Sequence, residues 1–285
     1  MNKKSIYSAL LASAMIAGVY ATPASANIDI SNWQLNLPGI LDTGINQLAF
    51  NGESYVTNTA TSTPGIFTST DTGVFDIAQY NNGNPLHLNG GQLTGVFQAT
   101  DLTNLTGGTP FYTFTGGTFT LYYNPSQVYG TTSANLYGAA TGTAFATFNI
   151  DVTNNPNTGG GFLNANGTPT ANGTVTLSST PPATLTNHPF LDSTGTPLSP
   201  NILLGFVTTN ASEDTTASPG NYTIDPNLVA ALSGTTGTMN NTPTNLFISN
   251  GGQFKLQDIP EPATLALMGI GLVGIAVSIR RKDRN

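Results

Sequence analysis

Scattered carboxylates are the side chains of this sequence that are best suited to chemistry. Hydrolysis of a glycosidic bond needs two of them at a set separation, one as an acid and one as a base or nucleophile. The candidates are Glu53, Asp76, Asp101 and Asp151. No spacing in the sequence brings two of them together. The twelve acidic residues between Asn27 and Ile259 would also supply some pairs by chance. We therefore expect a protein that is not an enzyme, with a secreted glycoside hydrolase as an alternative.

Other catalytic arrangements are missing from the sequence. The chain has no cysteine, which excludes thiolate nucleophiles, thiolate metal sites and disulfides. His87 and His188 each stand alone, without a metal-ligand partner at helical or hairpin spacing, and we interpret both as surface or turn residues. A nucleophile elbow, a phosphate-binding loop and a dinucleotide fingerprint are absent from the sequence as well.

Two acidic segments present oxygen ligands of the kind that calcium prefers. Asp151 is followed by further oxygen-bearing side chains at alternate positions, and Glu213 and Asp214 form a pair of acids. The Asp151 segment lacks the glycine and the glutamate of an EF-hand loop. The sequence therefore predicts no obligatory cofactor. It leaves calcium as a candidate ligand, with solvated loop acids as the other interpretation.

Aromatic residues are concentrated between positions 111 and 123. They suit either the core of a β domain or a face on which sugar rings stack. The alternation of side chains along a strand turns Tyr112 and Tyr122 outward, so these two residues are the candidates for contact with a glycan.

The charge of the body restricts its partners. Between Asn27 and Ile259 lie twelve acidic residues and a single basic one, Lys255, which gives a formal net charge of −11. Nucleic-acid binding needs cations that neutralise phosphates, and a body with one cation cannot supply them. Anionic polymers and anionic lipid are repelled for the same reason. A glycan partner must therefore be neutral or be bridged by divalent cations.

Alternation of apolar and polar residues predicts that the body is built from β-strands. In residues 117–123 and 144–152 every second residue is apolar, the pattern of a strand with one buried face. Threonine favours strands, whereas asparagine and glycine favour the turns between them. Gly116-Gly117 predicts a tight hairpin. Residues 154–173 and 209–220 look like long loops.

These strands predict an all-β fold, an antiparallel β-sandwich of the jelly-roll type, in preference to a closed barrel. An outer-membrane barrel is disfavoured because the chain lacks a regular series of ten-residue strands. One short helix is expected after Asp225, which can cap it, with Pro226 at the first helical position and Gly234 at its end. We take residues 27–258 as a single ectodomain, large enough to bury a core without disulfides.

The beginning of the chain has the three parts of a signal peptide. A lysine pair is followed by an apolar run at residues 6–19, which is too short to span a bilayer comfortably. Ala24 and Ala26 then place small residues where signal peptidase needs them. We therefore expect export of the protein and removal of residues 1–26 by signal peptidase.

The end of the chain, residues 259–285, has the order of a membrane-sorting tail. Residues 263–279 carry no charge and, at 1.5 Å per residue, would form a helix of about 25 Å, the short limit for a single transmembrane helix. A proline-rich extended segment precedes this span, and a basic stop-transfer cluster follows it. The residues concerned are Pro260, Glu261 and Pro262 before the span and Arg280, Arg281 and Lys282 after it.

This tail resembles the PEP-CTERM sorting signal. The resemblance is carried by the Pro-Glu-Pro residues, the apolar span and the basic end, and it covers residues 259–285. It implies that exosortase, a membrane enzyme, cleaves an inner-membrane-anchored intermediate near the Pro-Glu-Pro motif. It also implies a final place at the cell surface or in the extracellular matrix of a Gram-negative bacterium that makes exopolysaccharide.

Parts of the body resemble the flocculation-associated PEP-CTERM proteins. The similar pieces are residues 32–36, 91–97 and 119–125. The resemblance implies a role in binding cells and exopolysaccharide into flocs or biofilms, without catalysis. We therefore expect a non-catalytic surface or matrix protein. A carbohydrate-binding module, with or without a calcium bridge, is the alternative.

Overall fold

The computed structural model describes residues 28–104, 111–150, 152, 158–163, 169–213, 224–236 and 244–258. Asp29–Asp258 forms one compact unit. The predicted signal peptide and the predicted transmembrane helix lie outside the described residues. Among those that are described, no helix has the length and the apolar character needed to cross a membrane.

The described residues form fourteen β-strands. The strands are β1 (Ile28–Asp29), β2 (Trp33–Leu37), β3 (Ile40–Ile45), β4 (Leu48–Ala60), β5 (Ile66–Tyr80), β6 (Asn84–Pro85), β7 (Gln92–Asn104), β8 (Phe111–Asn124), β9 (Thr143–Ile150), β10 (Thr158–Leu163), β11 (Pro169–Leu185), β12 (Phe190–Leu191), β13 (Ile202–Glu213) and β14 (Asn245–Asp258). The long loops predicted at residues 154–173 and 209–220 are thus partly strands, because β10, β11 and β13 extend into them.

Most of the strands belong to one antiparallel sheet that closes on itself. Around the sheet the order is β4, β5, β7, β8, β9, β11, β13 and β14. The last strand returns to the first, since Leu246 of β14 pairs with Val56 of β4 and Phe254 pairs with Leu48. Closure leaves neither β4 nor β14 with an open edge along this stretch, so their backbone groups are paired.

The all-β, antiparallel part of the prediction is confirmed, whereas the connectivity differs from that of a jelly roll. Neighbours in the closed sheet are mostly neighbours in the sequence, while a jelly roll needs long crossings between two sheets. The pairing that closes the sheet joins β4 to β14, whose contacting residues Tyr55 and Asn245 are 190 positions apart. Local alternation in the sequence carries no information about such a pairing.

Side chains that point inward from these strands form the main hydrophobic core. Phe75, Phe119 and Phe254 belong to it and are buried. The ring centroids of Phe75 and Phe119 are 6.1 Å apart, and those of Phe119 and Phe254 are 5.9 Å apart. Each such side chain stabilises the fold by about 1.5–3 kcal/mol relative to an exposed one. The period of two in residues 117–123 therefore reports the buried face correctly.

The Gly116-Gly117 pair is not a hairpin, so this prediction is wrong. Both glycines lie inside β8, opposite Thr100 and Ala99 of β7. Gly117 has a φ of +147°, and a Cβ atom there would lie 2.4 Å from the carbonyl oxygen of Gln98. The glycine permits a close approach of two strands where their pairing is irregular, rather than a turn.

A second, three-stranded sheet covers one end of the closed sheet. It consists of β12, β2 and β3, and we call it the cap sheet. Its buried apolar residues, Trp33 and Phe190 among them, belong to the main core. The ring of Phe190 stands edge-on to Trp33 at a centroid distance of 5.5 Å and lies 6.1 Å from Phe145 and 6.4 Å from Phe148. The cap sheet therefore packs on the end at which β8 ends and β9 begins.

Two short helical elements cover part of the outer face of the closed sheet. α1 (Ala134–Tyr137) is a single turn, and α2 (Pro226–Ser233) is the helix expected after Asp225. The Asp225 side chain accepts a hydrogen bond from the amide of Asn227 (2.8 Å), and Gly234 ends the helix with a φ of +70°, so this prediction is confirmed. Residues of α1 and α2 pack with apolar residues of β5, β7 and β14 in a second hydrophobic cluster.

Candidate functional site

A cleft of about 330 Å³ opens beside the cap sheet, and we call it the end cleft. Four segments line it: the β2–β3 turn, the end of β8, the start of β9 and the turn before β12. Its volume is at the small end of the range for ligand pockets, which suits a ligand of one or two rings.

The floor of the end cleft is apolar. It is formed by Leu37, Tyr123, Phe145 and Pro189, all of which are buried. Leu37, Tyr123 and Phe145 also belong to the main core, so core packing holds them in place. An aromatic and aliphatic floor of this kind offers a surface on which the C–H face of a small cyclic ligand can rest.

The rim of the end cleft is polar and carries no charged residue. It is formed by Asn36, Pro38, Gly39, Thr143, Thr186 and Asn187. Thr143, Thr186 and Asn187 are exposed, and within the described residues their side chains make no hydrogen bond to another protein group. Their hydroxyl and amide groups are therefore available to donate to a ligand or accept from it.

Two tight turns form the walls of the end cleft. Pro38-Gly39 lies between the paired residues Leu37 and Ile40, and Gly39 has the φ of +76° that a type II turn requires. On the other side, Asn187 has a left-handed φ of +59°. Asparagine tolerates this conformation better than most residues do.

Hydrogen bonds hold both walls in position. The Asn36 backbone amide donates to the carbonyl oxygen of Pro189 (2.8 Å), and its Nδ2 donates to that of His188 (3.2 Å). On the opposite wall, Nδ2 of Asn89 donates to the carbonyl oxygen of Gly39 (3.1 Å). The cleft is therefore preorganised, which reduces the entropy that binding would lose.

A second candidate lies inside the closed sheet, at the end away from the cap sheet. Asp101 of β7 is opposite Ser69 of β5, and Asp71 lies two residues further along β5, so the two carboxylates are diagonal neighbours on one face. Residues in that relation are about 7–8 Å apart. With their polar neighbours they form what we call the distal polar layer: Ser54, Asn58, Ser69, Asp71, Asp101, Thr103 and Asn250.

Asp101 is buried and hydrogen-bonded. The Thr103 hydroxyl donates to Oδ1 of Asp101 (2.7 Å), and it lies 2.8 Å from the Ser69 hydroxyl. Ser69 in turn donates to Oδ1 of Asn58 (2.7 Å). Burial raises the pKa of Asp101 above its ordinary value, and the contacts with Thr103 and Ser69 offset part of that rise.

Asp71 is less completely satisfied than Asp101. The Ser54 hydroxyl is hydrogen-bonded to Asp71 and accepts from Nδ2 of Asn250 (2.8 Å). Within the described residues, Oδ1 of Asp71 is buried without a hydrogen-bond partner. Burial raises the pKa of Asp71 well above its usual range, and the charge of Asp101 raises it further. The pair therefore favours the retention of a proton.

The distal polar layer bears on the hydrolase alternative. Of the four candidate carboxylates, Asp101 has a carboxylate neighbour on the same face, Asp71, which was not among the candidates. Glu53 of β4 lies opposite Val74 of β5, so Glu53 and Asp76 are likewise diagonal neighbours, on the outer face near Tyr129. Asp76 is partly buried, and burial raises its pKa. Asp151 lies outside the described residues. The end cleft contains none of these acids. The cleft is thus separate from both carboxylate pairs.

The two tyrosines at the end of β8 lie on opposite faces. Tyr123 forms part of the end cleft, whereas Tyr122, one of the predicted glycan contacts, packs against the second hydrophobic cluster. Tyr129 and Tyr137 join that cluster with their rings edge-on at 5.2 Å. The Tyr137 hydroxyl donates to Oδ2 of Asp225 (2.7 Å), and burial raises the pKa of both Tyr129 and Tyr137.

His87, which stands alone in the sequence, has a partner in the fold. Its Nδ1 is 2.6 Å from Oδ1 of Asp42, and its backbone amide donates to Oδ2 of Asp42 (3.0 Å). The imidazole is 74% exposed, whereas the carboxylate is 2% exposed. The histidine therefore satisfies a buried acid of the cap sheet. No local pattern predicts the contact, because the two residues are 45 positions apart.

Several predicted site residues fall wholly or partly outside the described part of the chain. Asp151 and Asp214 do so entirely. The backbones of Glu213 and Tyr112 pair within the closed sheet, and their side chains lie outside the description. Among the described residues, no group of three or more His, Asp or Glu side chains could hold a metal ion. Calcium binding therefore stays a prediction.

A comparison with protein families identifies the tail. The model of the PEP-CTERM protein-sorting motif matches residues 258–282. The chain carries a PEP-CTERM sorting motif. The matched range includes the Pro-Glu-Pro residues and the basic cluster, Pro260, Glu261, Pro262, Arg280, Arg281 and Lys282, which lie outside the described residues. The predicted recognition of the tail is confirmed.

The PEP-CTERM motif indicates a surface protein that exosortase processes. It implies export, then a membrane-anchored stage, then association with the surface of a Gram-negative bacterium. Neither the curated proteins nor the solved structures gave a match to the chain. What the β domain of this PEP-CTERM protein binds must therefore be argued from its own geometry.

Proposed function

We propose that this PEP-CTERM protein is a non-catalytic protein of the cell surface or extracellular matrix. It helps cells to associate through exopolysaccharide, in flocs or biofilms. The observation that carries the proposal is the sorting motif at residues 258–282, which directs an acidic β domain to the surface. The resemblance of body segments to flocculation-associated PEP-CTERM proteins supports the choice of partner.

The charge of the domain constrains how it meets a polysaccharide. Lys255, the single basic residue between Asn27 and Ile259, is paired with Asp29 at 2.9 Å. It is therefore engaged with an acid of its own chain and is poorly placed to attract acidic sugars. A neutral polysaccharide, or an acidic one bridged by divalent cations, is the compatible partner.

The placement of the ionisable groups supports a binding role rather than catalysis. The exposed imidazole of His87 is held by Asp42, and the sequence offers no nucleophile elbow beside it. The Asp71–Asp101 pair faces the interior of the sheet, the Glu53–Asp76 pair lies on the outer face, and the end cleft is lined without any acid or base. General acid–base chemistry needs ionisable groups within hydrogen-bond reach of the substrate.

The proposal is tested by deletion of the gene in the producing bacterium. Aggregation is measured by settling rate and by the cohesion of the biofilm under shear. We expect deletion to weaken both and the intact gene to restore them. A strain complemented with Pro260→Ala and Pro262→Ala tests whether sorting is required, and we expect it to remain defective. Unchanged aggregation in the deletion strain contradicts the proposal.

A carbohydrate-binding module is the second candidate, and the observation that favours it is the uncharged end cleft. A secreted glycoside hydrolase is the remaining alternative. It is tested by incubation of the mature protein with the strain's own polysaccharide and assay of reducing ends. We expect no release above that of a heat-inactivated sample. Release that Asp101→Asn abolishes would favour the hydrolase.

A further inference from the structure

We propose that the end cleft binds a single neutral sugar residue, at a chain end or branch of a polysaccharide. The inference deepens the proposed function and rests on it only for the source of the sugar. Three properties of the cleft carry it: an apolar floor, an uncharged polar rim and walls fixed by hydrogen bonds.

The floor matches one face of a pyranose ring. Such a ring has C–H groups on its faces and hydroxyl groups around its edge, so it binds best where an apolar surface is surrounded by polar groups. In the end cleft, Tyr123, Phe145 and Leu37 provide the apolar surface. Their place in the main core keeps them from collapsing into the empty volume.

The rim supplies hydrogen-bond donors and acceptors for the hydroxyl groups at the edge of such a ring. Thr143 and Thr186 have hydroxyls that both donate and accept, and Asn187 has a carboxamide that does the same. All three are exposed and are not used by other described side chains. Because Nδ2 of Asn36 already donates to His188, the Asn36 Oδ1 is the atom left to accept from a ligand.

The absence of charge selects the class of sugar. No aspartate, glutamate, histidine, lysine or arginine lines the end cleft. A uronic acid or an amino sugar would place a charge in the cleft without a partner, and desolvation of an unpaired charge is unfavourable. Neutral sugars meet no such penalty. This selection agrees with a domain whose net charge of −11 repels acidic glycans.

The test uses the mature protein purified from the producing bacterium. The probes are the methyl glycosides of glucose, galactose, mannose and rhamnose, with glucuronic acid as the charged counterpart. Saturation-transfer NMR detects contact, and titration gives the dissociation constant. We expect at least one neutral glycoside to bind in the millimolar range, as is usual for one small ring, and glucuronic acid to bind more weakly.

Two variants locate the binding. Thr186→Trp places a large side chain at the rim and should abolish it. Asn187→Gly removes one carboxamide but keeps the left-handed backbone, so affinity should fall about two- to tenfold. Asn82→Gly is the matched control, because Asn82 also has a left-handed φ, of +64°, and does not line the cleft. It should bind like the wild type, and thermal unfolding verifies that each variant is folded.

The inference is overturned if no glycoside of the panel binds, or if folded Thr186→Trp and Asn187→Gly proteins bind as the wild type does. Its failure is distinguishable from that of the proposed function. Loss of aggregation on gene deletion, with normal aggregation in the two cleft variants, would leave the proposed function standing and remove the cleft from it. Sugar binding by a protein whose deletion leaves aggregation unchanged would support the inference about the cleft and contradict the proposed function.

Discussion

The interior of the closed sheet differs between the end near the cap sheet and the opposite end. Along β5, Phe75 and Ile77 lie in the main hydrophobic core, whereas Ser69 and Asp71 lie in the distal polar layer. One continuous strand therefore contributes apolar residues to one end and hydroxyl and carboxyl groups to the other. The change occurs within a few residues.

The difference indicates where the free energy of unfolding arises. Apolar surface buried at the cap-sheet end contributes about 25 cal/mol per Å². At the distal end, buried polar groups contribute little when they are hydrogen-bonded and are unfavourable when they are not, as at Oδ1 of Asp71. We therefore expect the cap-sheet end to stabilise the fold and the distal end to open first and to respond to pH.

The largest effect is expected at the cap sheet. Phe190→Ala removes a fully buried ring that contacts Trp33, Phe145 and Phe148, so the free energy of unfolding should fall by about 3–5 kcal/mol. Denaturant titration of the purified protein measures it. Leu41→Ala, on the same sheet but 58% exposed, is the control and should change stability by about 0.5 kcal/mol or less. If Phe190→Ala lowered the free energy of unfolding no more than Leu41→Ala does, packing of the cap sheet on the core would not stabilise the fold.

A smaller loss is expected where a buried acid of the cap sheet is satisfied from the surface. His87→Ala removes the ring that contacts Asp42 and leaves only the backbone amide, so stability should fall by about 1–3 kcal/mol. His188→Ala is the matched control, because His188 is exposed and is not paired with a carboxylate among the described residues. If the two histidines were equivalent, the contact between His87 and Asp42 would not stabilise the fold.

In the distal polar layer, a substitution should raise the free energy of unfolding, whereas the two substitutions above should lower it. The pKa of Asp71 is raised in the folded state, so the contribution of this acid to stability is complete below its unfolded pKa and is lost as the pH rises through the folded value. Asp71→Asn removes this loss and should stabilise the protein at pH 7 by about 1 kcal/mol. At pH 4 the difference should be smaller. Unfolding curves of both proteins at the two pH values measure it.

The control for this prediction is an acid whose pKa shifts the other way. Oδ1 of Asp192 accepts hydrogen bonds from Thr194 and Thr196, which lower its pKa. Asp192→Asn should therefore lose stability at pH 7, and the loss should shrink as the pH falls. If Asp71→Asn and Asp192→Asn changed stability in the same direction at pH 7, the distal carboxylates would not be strained by burial.

The smallest effect is expected at the surface ion pair. Lys255 and Asp29 are both partly exposed, so Lys255→Ala should lower the free energy of unfolding by about 0–1 kcal/mol, and added salt should reduce the difference. Thermal unfolding at low and high salt measures it. A loss as large as that of Phe190→Ala would show that electrostatics, rather than apolar burial, holds the fold.

Local features of the fold were predictable, and long-range ones were not. Alternation identified the strand that contains Phe119, and the Asp225-Pro226 pair with Gly234 identified α2, because both depend on neighbouring residues. The closing pair of β4 with β14 depends on residues 190 positions apart. Gly116-Gly117 was misread because the same residue type serves turns and close strand contacts.

The candidate sites were less predictable than the strands. Asp71 and Asp101 become neighbours only through the register of β5 with β7, which the sequence does not state. The end cleft is assembled from four segments, of which Pro38-Gly39 had a recognisable turn signal and the others had no shared motif. Its polar residues are of the commonest types in this chain, so composition could not distinguish them from solvated turns.

The most direct test of the account is retention of the mature protein on the strain's own exopolysaccharide, with and without EDTA. We expect retention in both conditions and elution by a free neutral glycoside, because an uncharged cleft needs no metal bridge. Retention that EDTA abolishes would favour calcium bridging over the end cleft. Absence of retention in both conditions would contradict the proposal that this surface protein joins cells through polysaccharide.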